Sequence, residues 1–146
     1  MNPAIQGREF PPVAPYLVGR EKVREFARAV FADAPVHHDP GAARALGYAD
    51  VVAPPTFAMV IQDQTLQQLL ADPDAGIVLS RVLHGEQRFR YTRPIVAGDE
   101  LTARLHVRSV RAVGGNAMVT SEAEVLDADG AHVVTATSIL VVGGDA

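Results

Sequence analysis

Cysteine is absent from the chain, and with it go a disulfide framework, a thiolate nucleophile and any zinc site built on sulfur. Positive charge is the scarcer sign: 13 Lys and Arg stand against 17 Asp and Glu, a formal net charge of −4. Such a balance offers no basic stripe for nucleic acid. No apolar run reaches the ~20 residues that span a bilayer. The first residues carry Arg8 and Glu9 where a signal peptide would carry an apolar core. There is no Gly-rich phosphate loop and no Ser nucleophile elbow. The histidines do not fall at metal-ligand spacings, because His37 and His38 are adjacent and point apart while the others are distant. These absences lead us to expect a soluble cytoplasmic protein with no metal, no cofactor, no nucleic-acid partner and no membrane contact.

What is present is a globular composition, 48% hydrophobic and 21% charged. The length suits one domain, residues 1–146, able to bury about two thirds of its unfolded surface. Residues 1–15 are rich in Pro and Gly and read as an arm, with a short strand at Val13–Val18. Arg20–Phe31 places Val23, Phe26, Ala27 and Val30 at helical spacing. Asp33–Pro40 is a turn segment, and Gly41–Leu46 a helical turn stopped by Gly47. After Pro54 and Pro55, Thr56–Leu70 runs as a nearly uncharged helix in which Asp63 is the only acid. A helix apolar on most faces is a buried one.

The second half changes period. Val78–Arg93, Glu100–Val113, Ala117–Asp127 and Ala131–Val142 alternate every two residues, with Leu101, Ala103, Leu105 and Val107 on one face of their strand. Gly114-Gly115-Asn116 and the Asp129-Gly130 turn are hairpin chemistry. The expectation is four consecutive strands joined by hairpins into an antiparallel sheet, with the apolar helix lying across it. This α+β layout looks like a hot-dog fold. One sheet covers only part of such a helix and leaves strand edges open, which predicts a dimer.

The segment Asp33-Ala34-Pro35-Val36-His37-His38-Asp39-Pro40 puts a carboxylate and two imidazoles on a Pro-bounded turn, the minimum kit for proton transfer near neutral pH. Two readings stand open for His37 and His38: solvent-exposed turn residues, or acid–base groups oriented by Asp33. Asp33 also reads as a turn residue, and Asp39 as the cap of the following helical turn. His84 is a second candidate. In regular alternation it shares a face with Glu86, Arg88 and Arg90, while Gly85, Gln87, Phe89 and Tyr91 share the other. Gly85 inside a strand suggests a bulge or a close approach of backbone or ligand. His106 and His132 read as surface or packing residues.

With those residues in hand, the chain resembles the MaoC-like (R)-specific enoyl-thioester hydratases and (3R)-hydroxyacyl-thioester dehydratases, and most of all their actinobacterial acyl-binding subunits. The resemblance runs from about Gly7 to Val142. Its most specific parts are Ala34–Pro40, Ala53-Pro54-Pro55-Thr56-Phe57 and Phe89–Asp99. It implies syn addition or removal of water at C2–C3 of an acyl-CoA or acyl-ACP. His37, Asp33 and His38 would be the catalytic candidates, and Pro55, Thr56, Phe57, Met59, Val60, His84 and Gly85 the substrate-binding ones. The tail would run beside Phe57, Met59, Val60 and Ile61.

The chain departs from the family pattern in two places. The family's Asp lies five residues before its His, which here is Ala32, with Asp33 one residue late; taking His38 as the partner restores the spacing but puts Asp39-Pro40 off by one. The family's His-Gly at the central helix is Pro54-Pro55, and proline has no N–H to offer the thioester oxyanion; Thr56 is the neighbour able to supply one. Losing such a donor typically costs about 2.7–4 kcal/mol of transition-state stabilisation. The resemblance therefore also admits a non-catalytic acyl-binding subunit paired with a catalytic hot-dog chain, as homodimer or heterodimer, and less readily a thioesterase using Asp63. A positive patch of Arg81, Arg88, Arg90 and Arg93 would suit an anionic carrier.

Overall fold

A computed structural model describes residues 1–144; the last two residues of the predicted 1–146 span, Asp145 and Ala146, lie outside it. The elements are β1 (Tyr16–Leu17), α1 (Arg20–Ala29), α2 (Pro40–Ala45), α3 (Ala58–Ala71), β2 (Val82–Tyr91), β3 (Glu100–Val113), β4 (Asn116–Leu126) and β5 (His132–Val142). The strands form one antiparallel sheet in the order β1-β3-β4-β5-β2. The sheet curls around α3, which packs on β3, β4 and β5. This is the hot-dog arrangement.

Alternation explains the sheet. Leu101, Ala103, Leu105 and Val107 are all buried, as are Ala123 and Val125 of β4 and Val134, Ala136 and Leu140 of β5. Hairpins join β3 to β4 at Gly114-Gly115 and β4 to β5 at Asp127–Gly130, where positive φ at Gly114, Gly115 and Gly130 accommodates the reversals. The expected third hairpin does not exist. β2 pairs with β5, not with β3, and residues 92–99 carry the chain across to β3. The N-terminal arm then covers the free side of β3: Gly7, Phe10 and Val13 donate backbone hydrogen bonds to Val107, Leu105 and Ala103 at 2.8, 2.9 and 2.9 Å. Its only regular strand is Tyr16–Leu17, shorter than the Val13–Val18 reading.

The central helix begins at Ala58, two residues after the expected Thr56, because Pro54 to Phe57 form a turn whose Phe57 N–H bonds to the Pro54 carbonyl at 2.9 Å. Ala58, Ile61, Gln62, Thr65, Leu66 and Leu69 are buried, whereas Asp63 and Gln67 are exposed. The helix is therefore buried on one face and open on the other within a single chain. Gln62, fully buried, is satisfied by the Ala136 carbonyl (3.2 Å), the Ser138 hydroxyl (3.3 Å) and the Gln87 amide (2.8 Å). Buried amides persist when partnered in this way.

β2 starts at Val82, after a short helical turn at Leu79–Arg81 that replaces the start of the predicted strand. Its register against β5 shifts between His84 and Glu86, which leaves Gly85 as the extra residue of a bulge. A Cβ on Gly85 would stand 3.3 Å from both the Ile139 carbonyl oxygen and the Val141 side chain, so glycine is required by close approach. The bulge also corrects the face of His84. It pairs with Leu140 and joins the side of Gln87, Phe89 and Tyr91, with its Nε2 3.1 Å from Gln87 Oε1, and leaves the face of Glu86, Arg88 and Arg90.

Candidate functional site

The segment between α1 and α3 folds around backbone carbonyls. Pro35–His37 is a single helical turn, and Asp39 caps α2 by accepting the Gly41 N–H at 2.8 Å, as its position implies. His37 Nδ1 lies 2.6 Å from the Val52 carbonyl oxygen. A carbonyl only accepts, so Nδ1 carries the proton and Nε2 is left as the basic nitrogen of the neutral ring. Val52 is itself anchored, its N–H donating to the Val36 carbonyl at 3.0 Å. Residues 51–53 run antiparallel beside 95–97, with Ala53 N–H to Ile95 O at 2.8 Å and Ala97 N–H to Val51 O at 3.0 Å.

These contacts border an open cavity of about 360 Å³ lined by His37, Val52, Ala53, Pro55, Tyr91, Thr92, Arg93, Pro94 and Ile95. Its wall is largely apolar. Arg93 is held by Asp99 through two hydrogen bonds (2.8 and 3.1 Å) and by Asp127 at 3.3 Å, so its charge is already matched. The Tyr91 hydroxyl donates to the Pro55 carbonyl at 2.7 Å and meets the Ala58 N–H, and burial pushes its pKa up to about 12.

The candidate residues do not converge as one cluster. His37 and Pro55 line the cavity. His38 turns the other way: its Nε2 lies 2.8 Å from the Ala32 carbonyl, and its own carbonyl accepts from Arg24 at 2.8 Å. The ring ties the end of α1 to the turn and stands apart from the cavity wall. Asp33 is exposed and, among the described residues, bonds to neither imidazole, so the structure does not pair it with His37. Phe57 and Ile61 are fully buried, Phe57 edge-on to Phe26 at 5.3 Å, and Met59 and Val60 are half-buried; none of the four lines the cavity. Thr56 is exposed and, among the described residues, its N–H has no partner. His84 and Gly85 sit at the bulge, away from this cavity. The arginine patch is also broken up: Arg88 pairs with Glu86, Arg93 with Asp99 and Asp127, and Arg90 shares its trough with Glu122 and Glu124.

Tyr91 is one of the wall residues that sequence reasoning passed over, with Val52, Ala53, Thr92, Pro94 and Ile95. The signal was there: Gln87, Phe89 and Tyr91 alternate against charged neighbours, which marks an inward face beside the Pro94 turn. No group of three His, Asp or Glu among the described residues is arranged to hold a metal ion. No helix there is long and apolar enough to cross a membrane.

A sheet curled on one helix, with His37 on the wall of a cavity at the start of that helix, defines the class as a hot-dog protein. The comparisons narrow it. The sequence matches the FAS1-like dehydratase domain region over residues 4–136, and the chain belongs to that family. A UPF0336 protein of Clavibacter michiganensis is 68% identical over 145 residues, covering 99% of this chain and 97% of the relative. A solved MaoC-like dehydratase is 38% identical with a TM-score of 0.89, over 97% of this chain and 43% of that one. The C-terminally truncated HadBC (3R-hydroxyacyl-ACP dehydratase) complex of Mycobacterium tuberculosis contains a chain 35% identical with a TM-score of 0.84, over 94% and 96% of the two chains. The MaoC-like resemblance read from Ala34–Pro40 and Phe89–Asp99 is thereby borne out.

Proposed function

We propose that this chain is a subunit of a (3R)-hydroxyacyl-thioester dehydratase, or enoyl-thioester hydratase, of fatty-acyl metabolism. It binds an acyl-CoA or acyl-ACP and works beside a second hot-dog chain. One observation carries this reading: His37, with Nδ1–H fixed on the Val52 carbonyl and Nε2 basic, walls an apolar cavity at the start of the central helix. A base on a rigid mount beside an apolar binding surface suits proton removal at C2 and delivery to the departing water.

The same site lacks two parts of a self-sufficient catalyst. Among the described residues no carboxylate orients His37, and Pro55 offers no N–H where the thioester oxygen would gain charge. The Thr56 N–H, without a partner among the described residues, is the next donor along the chain. Both deficits favour completion by a partner carrying an intact Asp–His pair and an oxyanion donor. The open edge of β2, with Leu83 exposed at 71% and Leu79 of the preceding turn at 67%, offers such a partner a strand to pair with. The HadBC neighbour is itself a complex.

A second reading, a non-catalytic acyl-binding subunit, rests on the same deficits taken further. Hydration of crotonyl-CoA separates the two. On the first, the assembled pair turns over and His37→Ala in this chain removes most of that rate. On the second, the variant leaves the pair's turnover unchanged while acyl binding persists. A thioesterase is disfavoured, since Asp63 is exposed and does not line the cavity.

A further inference from the structure

Taking the chain as an acyl-thioester binder, as above, we propose that Tyr91 sets the acyl length it accepts by closing the His37 cavity on its α3 side. At about 360 Å³ the cavity lies near the small end of ligand pockets, which run from about 300 to 1,000 Å³. Its limit toward the helix is the pair Tyr91 and Pro55, joined by the 2.7 Å hydrogen bond from the tyrosine hydroxyl to the proline carbonyl. That bond ties β2 to the turn that begins α3, so the ring is held across the seam between strand and helix.

Nothing behind the ring receives a tail. Phe57 and Ile61 are fully packed, and the Phe89 ring stands 6.3 Å behind that of Tyr91. Further along the same seam the Gln87 amide donates to Gln62 Oε1 at 2.8 Å, a second polar rung between β2 and α3. Four residues of strand separate the rungs, ~13 Å at strand rise. Phe89 occupies the stretch between the rungs, so the tyrosine is the stop, and removing it frees only the volume of its own ring. The hydroxyl ionises only near pH 12, so the stop holds across the physiological range.

The test is a titration of the purified protein, with any partner chain that co-purifies, against butyryl-, hexanoyl-, decanoyl- and palmitoyl-CoA, with free CoA as reference. For the wild type, affinity should climb by about fourfold per added methylene over the short members, the value of burying one such group, and then level off. In Tyr91→Ala the climb should continue for a few methylenes past the member at which the wild type levels off. A wild-type affinity that climbs unbroken to palmitoyl-CoA, or a folded Tyr91→Ala variant with the wild-type profile, overturns the length limit alone. Binding of every thioester no tighter than free CoA overturns the acyl-thioester reading and this inference with it. Should Tyr91→Ala unfold, Tyr91→Phe keeps the ring and removes the tie. A gain in decanoyl-CoA affinity then supports the gate, and an unchanged profile overturns it.

Discussion

The sheet and the segment from Asp33 to Phe57 are held together by different physics. In β3, β4 and β5 the side chains do the holding: alternate residues are buried and the backbone pairs antiparallel with its neighbour, with register shifts at Val107–Ser109 and Val125–Leu126. In the segment the side chains reach for backbone. His37 finds the Val52 carbonyl, His38 the Ala32 carbonyl, and Tyr91 comes across from β2 to the Pro55 carbonyl. The sheet spreads its stability over many equivalent contacts. The segment depends on a few directed hydrogen bonds, and those of His37 and Tyr91 also shape the cavity. Under the proposed function, the difference puts the chemistry on the irregular segment, with the sheet as its mount.

The contrast can be broken from either side. Leu105→Ala, in the centre of β3 among Leu66, Leu69, Ala123 and Ala136, should destabilise the fold by about 2–5 kcal/mol in urea unfolding. Its acyl-CoA affinity, measured where it remains folded, should be unchanged. His37→Ala should do the reverse. Crotonyl-CoA hydration by the assembled protein should fall at least ~100-fold, the lower bound for a general acid–base group, with the unfolding midpoint nearly unmoved. Equal losses in stability from both variants would erase the distinction.

Smaller effects sharpen it. Asp39→Ala removes the 2.8 Å cap on the Gly41 N–H and should cost about 1 kcal/mol, read in the same urea assay. Asp50, at the entry to residues 51–53, accepts from Arg20 at 2.9 and 2.6 Å and from the Val51 N–H at 2.7 Å. These bonds, the arginine's first, hold its carboxyl at about 2, below its ordinary value near 3.8. A carboxyl depressed on folding adds stability that is complete above its ordinary value and is lost as pH falls through the folded one. The contribution should therefore fade between about pH 4 and pH 2. An acid titration of the Asp50 carboxyl by NMR checks it, and Arg20→Ala should move the midpoint back up.

How much of this could be read in advance follows the same division. The bounds of β3, Glu100–Val113, and its buried face were legible because alternation is a local property of the strand itself. Gly85 signalled the bulge, yet its consequence was missed: one extra residue carried His84 to the other face. The partner of β2 was misread because alternation says which face is buried and nothing about which strand lies alongside. In the segment, His37 was legible as a candidate by residue type and neighbours. Its hydrogen-bond acceptor, a main-chain oxygen 15 positions away, has no side-chain signature. Tyr91 was hidden for a related reason: its phenol matters through Pro55, which is 36 positions distant.

By itself the amino-acid sequence determined the kinds of element, the buried sides of β3 to β5, the apolar central helix and the place of an imidazole on a proline-bounded turn, because propensity and periodicity act between near neighbours. Only the tertiary structure decided the strand order, the carbonyls that His37, His38 and Tyr91 meet, and which apolar residues wall the cavity and which are sealed in the core. Those outcomes depend on groups far apart in the chain, and packing alone brings them within hydrogen-bonding distance.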